Sequence, residues 1–167
     1  FLGKEDNRNY HALRELLPDA EIISPKLDFL HDTPAEILKK LFRIAVTDEV
    51  DLIVGQSRGA AFGLKTAVEY NIPCILTNPC LEPSKTAIIA NSELSGELLS
   101  NYARTNYKQY FNKAYILLSE RDEIIPNNPE ICRAITPHVK VVSGTHSRLD
   151  NLKGELGALL NEVKSAE

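Results

Sequence analysis

The chain has 167 residues, enough for one domain that buries roughly 70% of the surface its unfolded form exposes. It is 43% hydrophobic and 25% charged, as ordinary globular domains are, and a net charge of −4 with dispersed basic residues argues against a nucleic-acid surface. No apolar run reaches the ~20 residues of a membrane span and no signal peptide is visible, so the sequence reads as cytoplasmic and free of membrane contact.

Taken in chain order, residues 9–17, "NYHALRELL", place apolar side chains at helical spacing, and Pro18–Asp19 stop that helix. "EIIS" at 21–24 reads as a short strand ended by Pro25. Residues 32–49 open with Thr33 as N-cap, Pro34 at the first helical position and Glu36 three residues after the cap. Leu38, Leu41, Phe42 and Ala45 then form an apolar face. "VDLIVG" is a short buried strand, and "RGAAFGLKTAVEYN" is a helix ending at Asn71. "IPCILTN" at 72–78, "AYILLSE" at 114–120 and "VKVVSG" at 139–144 are further strands; 127–136 and 147–167 are helical. Residues 81–113 are polar and strandless, an excursion over the sheet with a helix from about 93 to 109 that reads as a lid.

Short strands alternating with helices predict a mostly parallel sheet covered on both faces, a three-layer α/β/α sandwich in a single domain over 1–167. The strands are apolar on both sides, as buried parallel strands are. Cys74, Cys80 and Cys132 match no zinc spacing and read as reduced thiols, so no metal site is expected. The sequence opens on Phe1 and holds no methionine, the pattern of a chain whose first residues, and any modified methionines, are left out.

"DLIVGQSRGAAFG" at 51–63 sets Ser57 between Gly55 and Gly59, where a strand passes into a helix. Sites in parallel sheets form at the carboxyl ends of strands. A Gly-x-Ser-x-Gly turn there lifts a serine oxygen above the sheet edge, and the Arg58 amide, at a helix N-terminus, can donate to an oxyanion. The motif alone recurs by chance in roughly one chain in twenty of this length, and a Gly-rich turn with an idle serine is the plain alternative; placement gives it weight. A nucleophilic serine needs a base, and the base needs an orienting acid. Of the two histidines after Ser57, His138 precedes the last strand, on the wrong side of the sheet, and His146 follows it, on the side of Ser57. Glu120, Asp122 and Glu123 lie just past the preceding strand; Asp122 is the foremost acid, Glu120 the reserve, and Glu123 is expected in solvent.

With those residues in place, the chain resembles the α/β hydrolases, and among them the small bacterial YqiA-like esterases. "LIVGQSRGAAFG" is similar to that family's strand and elbow, "ILTNPCLEP" to its Asn-Pro segment, "LLSERDEII" to its acid loop, "VSGTHSRLDNL" to its histidine loop and "SPKLDFLHDTPAEIL" to the entry of its second helix. The resemblance implies Ser57 as nucleophile, Asp122 as acid and His146 as base. It implies a strand ending in His-Gly ahead of Phe1, absent here, with Phe1 as second oxyanion donor beside Arg58. Leu2, Gly3, Gln56, Asn78 and Pro79 would line the substrate pocket. Arg58 and Ala60 depart from the smaller residues usual at the elbow, and Thr145 from the acid often found before the histidine; Arg58 either crowds the pocket or binds an acidic substrate. The expectation is a serine hydrolase acting on a small ester or thioester without a cofactor, with room for a homodimer. The rival is a non-catalytic protein of the same fold that binds a small molecule or a partner. A nucleotide-binding domain is a distant third, since no Gly-x-Gly-x-x-Gly follows a strand.

Overall fold

The computed structural model describes residues 7–82, 96–104, 107–125 and 128–166. Helix α1, Arg8–Leu16, starts at Asn7, whose side chain accepts from the Tyr10 amide. Helix α2, Pro34–Thr47, has the capping box read from the sequence: the Thr33 side chain accepts from the Glu36 amide, and the Glu36 carboxylate accepts from the Thr33 amide. Next come β1 (Ile53–Gln56), α3 (Ser57–Tyr70), β2 (Cys74–Thr77) and α4 (Gly96–Arg104). The chain closes with β3 (Ala114–Arg121), α5 (Asn128–Arg133), β4 (Val139–Thr145), β5 (Arg148–Leu149) and α6 (Leu152–Ser165).

The sheet order is β1-β2-β3-β4-β5. The first four strands are parallel, and β5 returns antiparallel on β4. Alternation along the strands splits the interior into two cores. Cys74, Leu76, Ile116 and Leu118 face α2, α3 and α5, where Ile37, Phe62, Leu64 and Cys132 are buried. Ile75, Tyr115 and Leu117 face α1 and α6, against Leu13, Leu156, Leu159 and Leu160. These are the three layers that the alternation of strands and helices predicts.

Three expectations are corrected. Residues 21–24 form no strand among the described residues, because a strand needs a ladder partner. The described partner of β1 is β2, and Ile22, Ile23 and Ser24 instead line a cavity along the other edge of β1. Residues 147–167 are not helical throughout: Arg148–Leu149 pair with Gly144–Thr145 before α6 begins. Gly144 makes that return possible, with φ +143 and the Arg148 carbonyl oxygen crowding the place where a Cβ would stand. The helix expected over 93–109 is Gly96–Arg104 in its described part, and 107–109 are not helical. The described part of the 81–113 excursion is anchored in the core by Leu81, Tyr102, Tyr107 and Phe111. The Tyr102 and Tyr107 rings meet Phe62 edge-on at 6.1 and 5.2 Å.

The glycines around Ser57 are not equivalent. A Cβ on Gly55 would stand 2.6 Å from the Ala60 Cα, so β1 and α3 approach as closely as they do only because Gly55 has none. Around Gly59 no described atom outside its chain neighbours and its own turn of helix backbone lies within 4 Å of that position. Gly55→Ala is therefore expected to cost about 1–3 kcal/mol through forced backbone movement. Gly59→Ala should be neutral or raise the Tm, since alanine is the better helix former by up to about 1 kcal/mol. Thermal unfolding of the two variants checks this; equal losses would show that the contact with Ala60 does not select the glycine.

Candidate active site

Four successive parallel strands each deliver one polar residue at the carboxyl edge of the sheet: Ser57 after β1, Asn78 after β2, Asp122 after β3 and His146 after β4. Ser57 has φ +50, a left-handed conformation that a non-glycine residue holds only under strain. The tight passage from β1 into α3 imposes it, and the Ser57 carbonyl is tied by the Cys80 amide at 2.9 Å.

Ser57 Oγ lies 2.9 Å from His146 Nε2. On the far side of the ring, Nδ1 lies 3.0 and 2.9 Å from the two carboxylate oxygens of Asp122. The side chains of His146 and Asp122 are only 7% and 9% exposed, so water does not compete for these bonds. Burial pushes the Asp122 carboxyl up, but hydrogen bonds from His146 and from the Ile125 and Ile124 amides outweigh it, and the net shift is downward. Asp122 is thus a carboxylate throughout the neutral range and holds the Nδ1 proton. In the neutral imidazole Nε2 is then left as acceptor toward Ser57.

A bulge brings acid and histidine together. The β3–β4 ladder pairs Ser119 with Val142 and then Arg121 with Thr145, so β4 carries one residue more and bends over β3. The Asp122 loop is closed by its own carboxylate, which accepts from the Ile124 and Ile125 amides at 3.0 and 2.8 Å. Glu123, expected in solvent, is exposed but accepts the His146 amide at 3.1 Å. Glu120 accepts from the Ser143 hydroxyl at 3.1 Å, away from the imidazole. His138 stacks on Tyr115 at the other end of β4, with ring centroids 4.6 Å apart.

Asn78 holds the histidine loop. It is 1% exposed and has φ +43, which asparagine tolerates better than most residues. Its amide nitrogen donates to the carbonyls of Thr145 and His146 at 3.2 and 2.8 Å, and its oxygen accepts from the Ser119 amide at 2.7 Å. Asn78→Ala leaves three backbone groups, two of them buried, without these partners and a β-carbon at positive φ. The expected loss is roughly 2–4 kcal/mol, with the denaturant slope unchanged. Urea unfolding checks it, and a loss under about 0.5 kcal/mol would show that the loop does not depend on Asn78.

A cavity of about 860 Å³ runs from Ser57 and His146 along the outer edge of β1. Gln56 and Arg58 line it, and Leu27, Phe29, Ile124 and Ile125 form part of its apolar wall. These last four escaped the sequence reading, which carries no signal for which loop residues turn inward. Asn78 and Pro79 are not among the lining residues; Phe1, Leu2 and Gly3 lie outside the described residues. Arg58 is the second residue of α3, in the turn whose amides have no acceptor within the helix. Cys74, Cys80 and Cys132 are buried and outside any disulfide, and burial pushes the thiols of Cys74 and Cys132 up to about 12. Among the described residues no cluster of His, Cys, Asp or Glu could hold a metal ion, and no helix is long and apolar enough to cross a membrane.

The chain is similar to a solved alpha-beta serine hydrolase homologue from Coxiella burnetii, with a TM-score of 0.59 over 99% of this chain and 79% of that one. The fold is α/β-hydrolase-like. Identity to that structure is 18%, so the likeness speaks for the fold alone. No family model and no curated protein matches the chain. In this α/β-hydrolase-like fold, a strained serine after β1, a histidine after β4 and an acid after β3 form one hydrogen-bonded line. A hydroxyl so placed can pass its proton to an imidazole, and the carboxylate can stabilise the cation that results.

Proposed function

We propose that this protein is a serine hydrolase that cleaves carboxylic esters or thioesters through an acyl-serine intermediate. The observation that carries the reading is the unbroken chain of hydrogen bonds from Ser57 Oγ through His146 to Asp122, at the mouth of a cavity. His146 Nε2 takes the Ser57 proton as Oγ attacks the substrate carbonyl. The negative charge on the carbonyl oxygen is met by the Arg58 amide and the positive end of α3. The tetrahedral intermediate collapses, His146 returns the proton to the leaving alkoxide or thiolate, and the acyl group stays on Ser57. Water, deprotonated by His146, then releases the acid and restores the serine. Asp122 keeps the imidazole in the required tautomer and stabilises the imidazolium. Each step uses side chains, backbone amides and water.

The rival reading is a binding protein that keeps the fold without the chemistry. Assay of short-chain 4-nitrophenyl esters and a small thioester decides between them. Turnover above the buffer rate, with a burst of nitrophenol matching the protein concentration when deacylation is slow, is expected. Binding of these esters without release of product would overturn the proposal.

A further inference from the structure

The peptide unit that joins Ser57 to Arg58 is held on both sides. Its carbonyl accepts from the Cys80 amide at 2.9 Å. A trans peptide is planar, with N–H and C=O pointing in opposite directions, so fixing the carbonyl fixes where the Arg58 N–H points. Cys80 stands at the root of the 81–113 excursion. On the other side is the Arg58 side chain. Arg58 is 7% exposed and its terminal guanidinium nitrogens have no accessible surface, so the fork is closed to substrate. Its guanidinium carbon lies 5.4 Å from the ring centroid of Phe29 and 5.4 Å from that of Tyr102, within reach of a cation–π attraction. Phe29 belongs to the stretch ahead of α2, and Tyr102 to α4 in the excursion. One helical turn after Arg58, Phe62 meets the same two rings at 5.7 and 6.1 Å. The Tyr102 hydroxyl donates to the Asp32 carbonyl at 3.3 Å, which ties α4 to the stretch that carries Phe29.

Resting on the hydrolase reading, we infer that Arg58 is a positioning residue: its side chain, clamped by Phe29 and Tyr102, locks the peptide whose N–H receives the oxyanion. A buried cation in the first turn of a helix opposes the helix dipole and is costly to desolvate, and an apolar side chain would fill the same space without that cost. What a guanidinium adds is a hold on two aromatic rings from separate parts of the chain. The hold matters because an oxyanion donor is effective only within about 2.7–3.1 Å of the oxygen it serves. It matters also because Ser57 is strained at φ +50, and a strained residue keeps its conformation only where its surroundings over-determine it. The Cys80 amide on one side of the peptide and the aromatic clamp on the other do so. The excursion thus acts on the chemistry by anchoring the oxyanion peptide twice, at its root and through α4.

Kinetics on 4-nitrophenyl butyrate, at a temperature well below the Tm of every variant, test this. Acylation and deacylation both pass through an oxyanion, so a displaced donor lowers kcat and leaves KM nearly as it was. Arg58→Met, apolar and of similar length, is expected to lose about 10–100-fold in kcat with KM within about threefold, less than the roughly 10²–10³ that outright removal of one donor costs. Arg58→Lys should stand at least ~3-fold above Arg58→Met, because an ammonium keeps a cation against the rings. Phe29→Leu should lower kcat in the wild-type background but change it less than about twofold on top of Arg58→Met, since the two act through one contact. Wild-type kcat in Arg58→Met, a loss confined to KM, or losses that simply add in the double variant would overturn the inference. Should Arg58→Met not fold, Arg58→Lys and Phe29→Leu carry the test, and wild-type kcat in both would refute it. Turnover by the wild type with any of these results leaves the hydrolase reading standing, whereas no turnover by the wild type refutes both.

Discussion

Ser57→Ala is expected to fold as the wild type does and to lose about 10⁴-fold or more in ester turnover. Alanine keeps the β-carbon and so keeps the strain at φ +50, which means stability should hardly move. The oxygen that lies 2.9 Å from His146 Nε2 is removed, and no acyl-enzyme can form. Ser57→Gly is expected to be equally inactive but more stable by up to about 1 kcal/mol, because glycine holds a positive φ without the steric penalty. For a chain of this length that gain corresponds to a rise in Tm of roughly 2–4 °C. Nitrophenyl-ester kinetics and thermal unfolding on the two variants separate chemistry from strain. Turnover unaffected in Ser57→Ala would remove Ser57 from the mechanism.

Asp122→Asn is expected to fold and to lose up to ~10⁴-fold in turnover. The reason lies in hydrogen-bond bookkeeping around one side chain. Asp122 Oδ1 accepts from the Ile124 and Ile125 amides, and both its oxygens face His146 Nδ1. In asparagine the remaining oxygen stays with the two amides, which turns the NH₂ group toward Nδ1. An NH₂ donor makes Nδ1 an acceptor, so the imidazole proton moves to Nε2. Nε2 then has no lone pair for the Ser57 proton. Glu123→Gln keeps an oxygen for the His146 amide, and Glu120 meets Ser143 rather than the ring, so Glu123→Gln and Glu120→Gln should each stay within about tenfold of wild type. A severe loss confined to Glu120→Gln would move the acid by two residues. Three mild effects would mean that no loop carboxylate orients His146.

Where strands end is what made the site legible in the sequence. Ser57, Asp122 and His146 each follow a short apolar run, and parallel strands must present such residues at a common edge. The α2 start was equally readable, because a capping box is local chemistry between Thr33 and Glu36. Long-range partners were not readable. "EIIS" has strand composition, but composition does not supply the neighbour that a ladder requires. Arg148–Leu149 became a strand because Gly144 turns the chain back, a backbone conformation that no side-chain pattern announces. Asn78 stood out only through the Asn-Pro segment, which resemblance placed beside a pocket. Its hydrogen bonds to Thr145, His146 and Ser119 depend on the order of β2, β3 and β4 in the sheet. The second glycine of the serine motif misled in the opposite sense: the motif treats Gly55 and Gly59 alike, and only Gly55 meets the neighbouring element.

Reaction with a fluorophosphonate, followed by peptide mapping of the adduct, tests the central claim most directly, because the reagent forms a bond only where a serine oxygen is activated and the phosphonyl oxygen is stabilised. A single adduct on Ser57 is expected, formed at a rate that collapses in His146→Ala, where the base is gone but the serine remains. No adduct on the folded protein, or an adduct on Ser57 whose rate is the same without His146, would contradict the account.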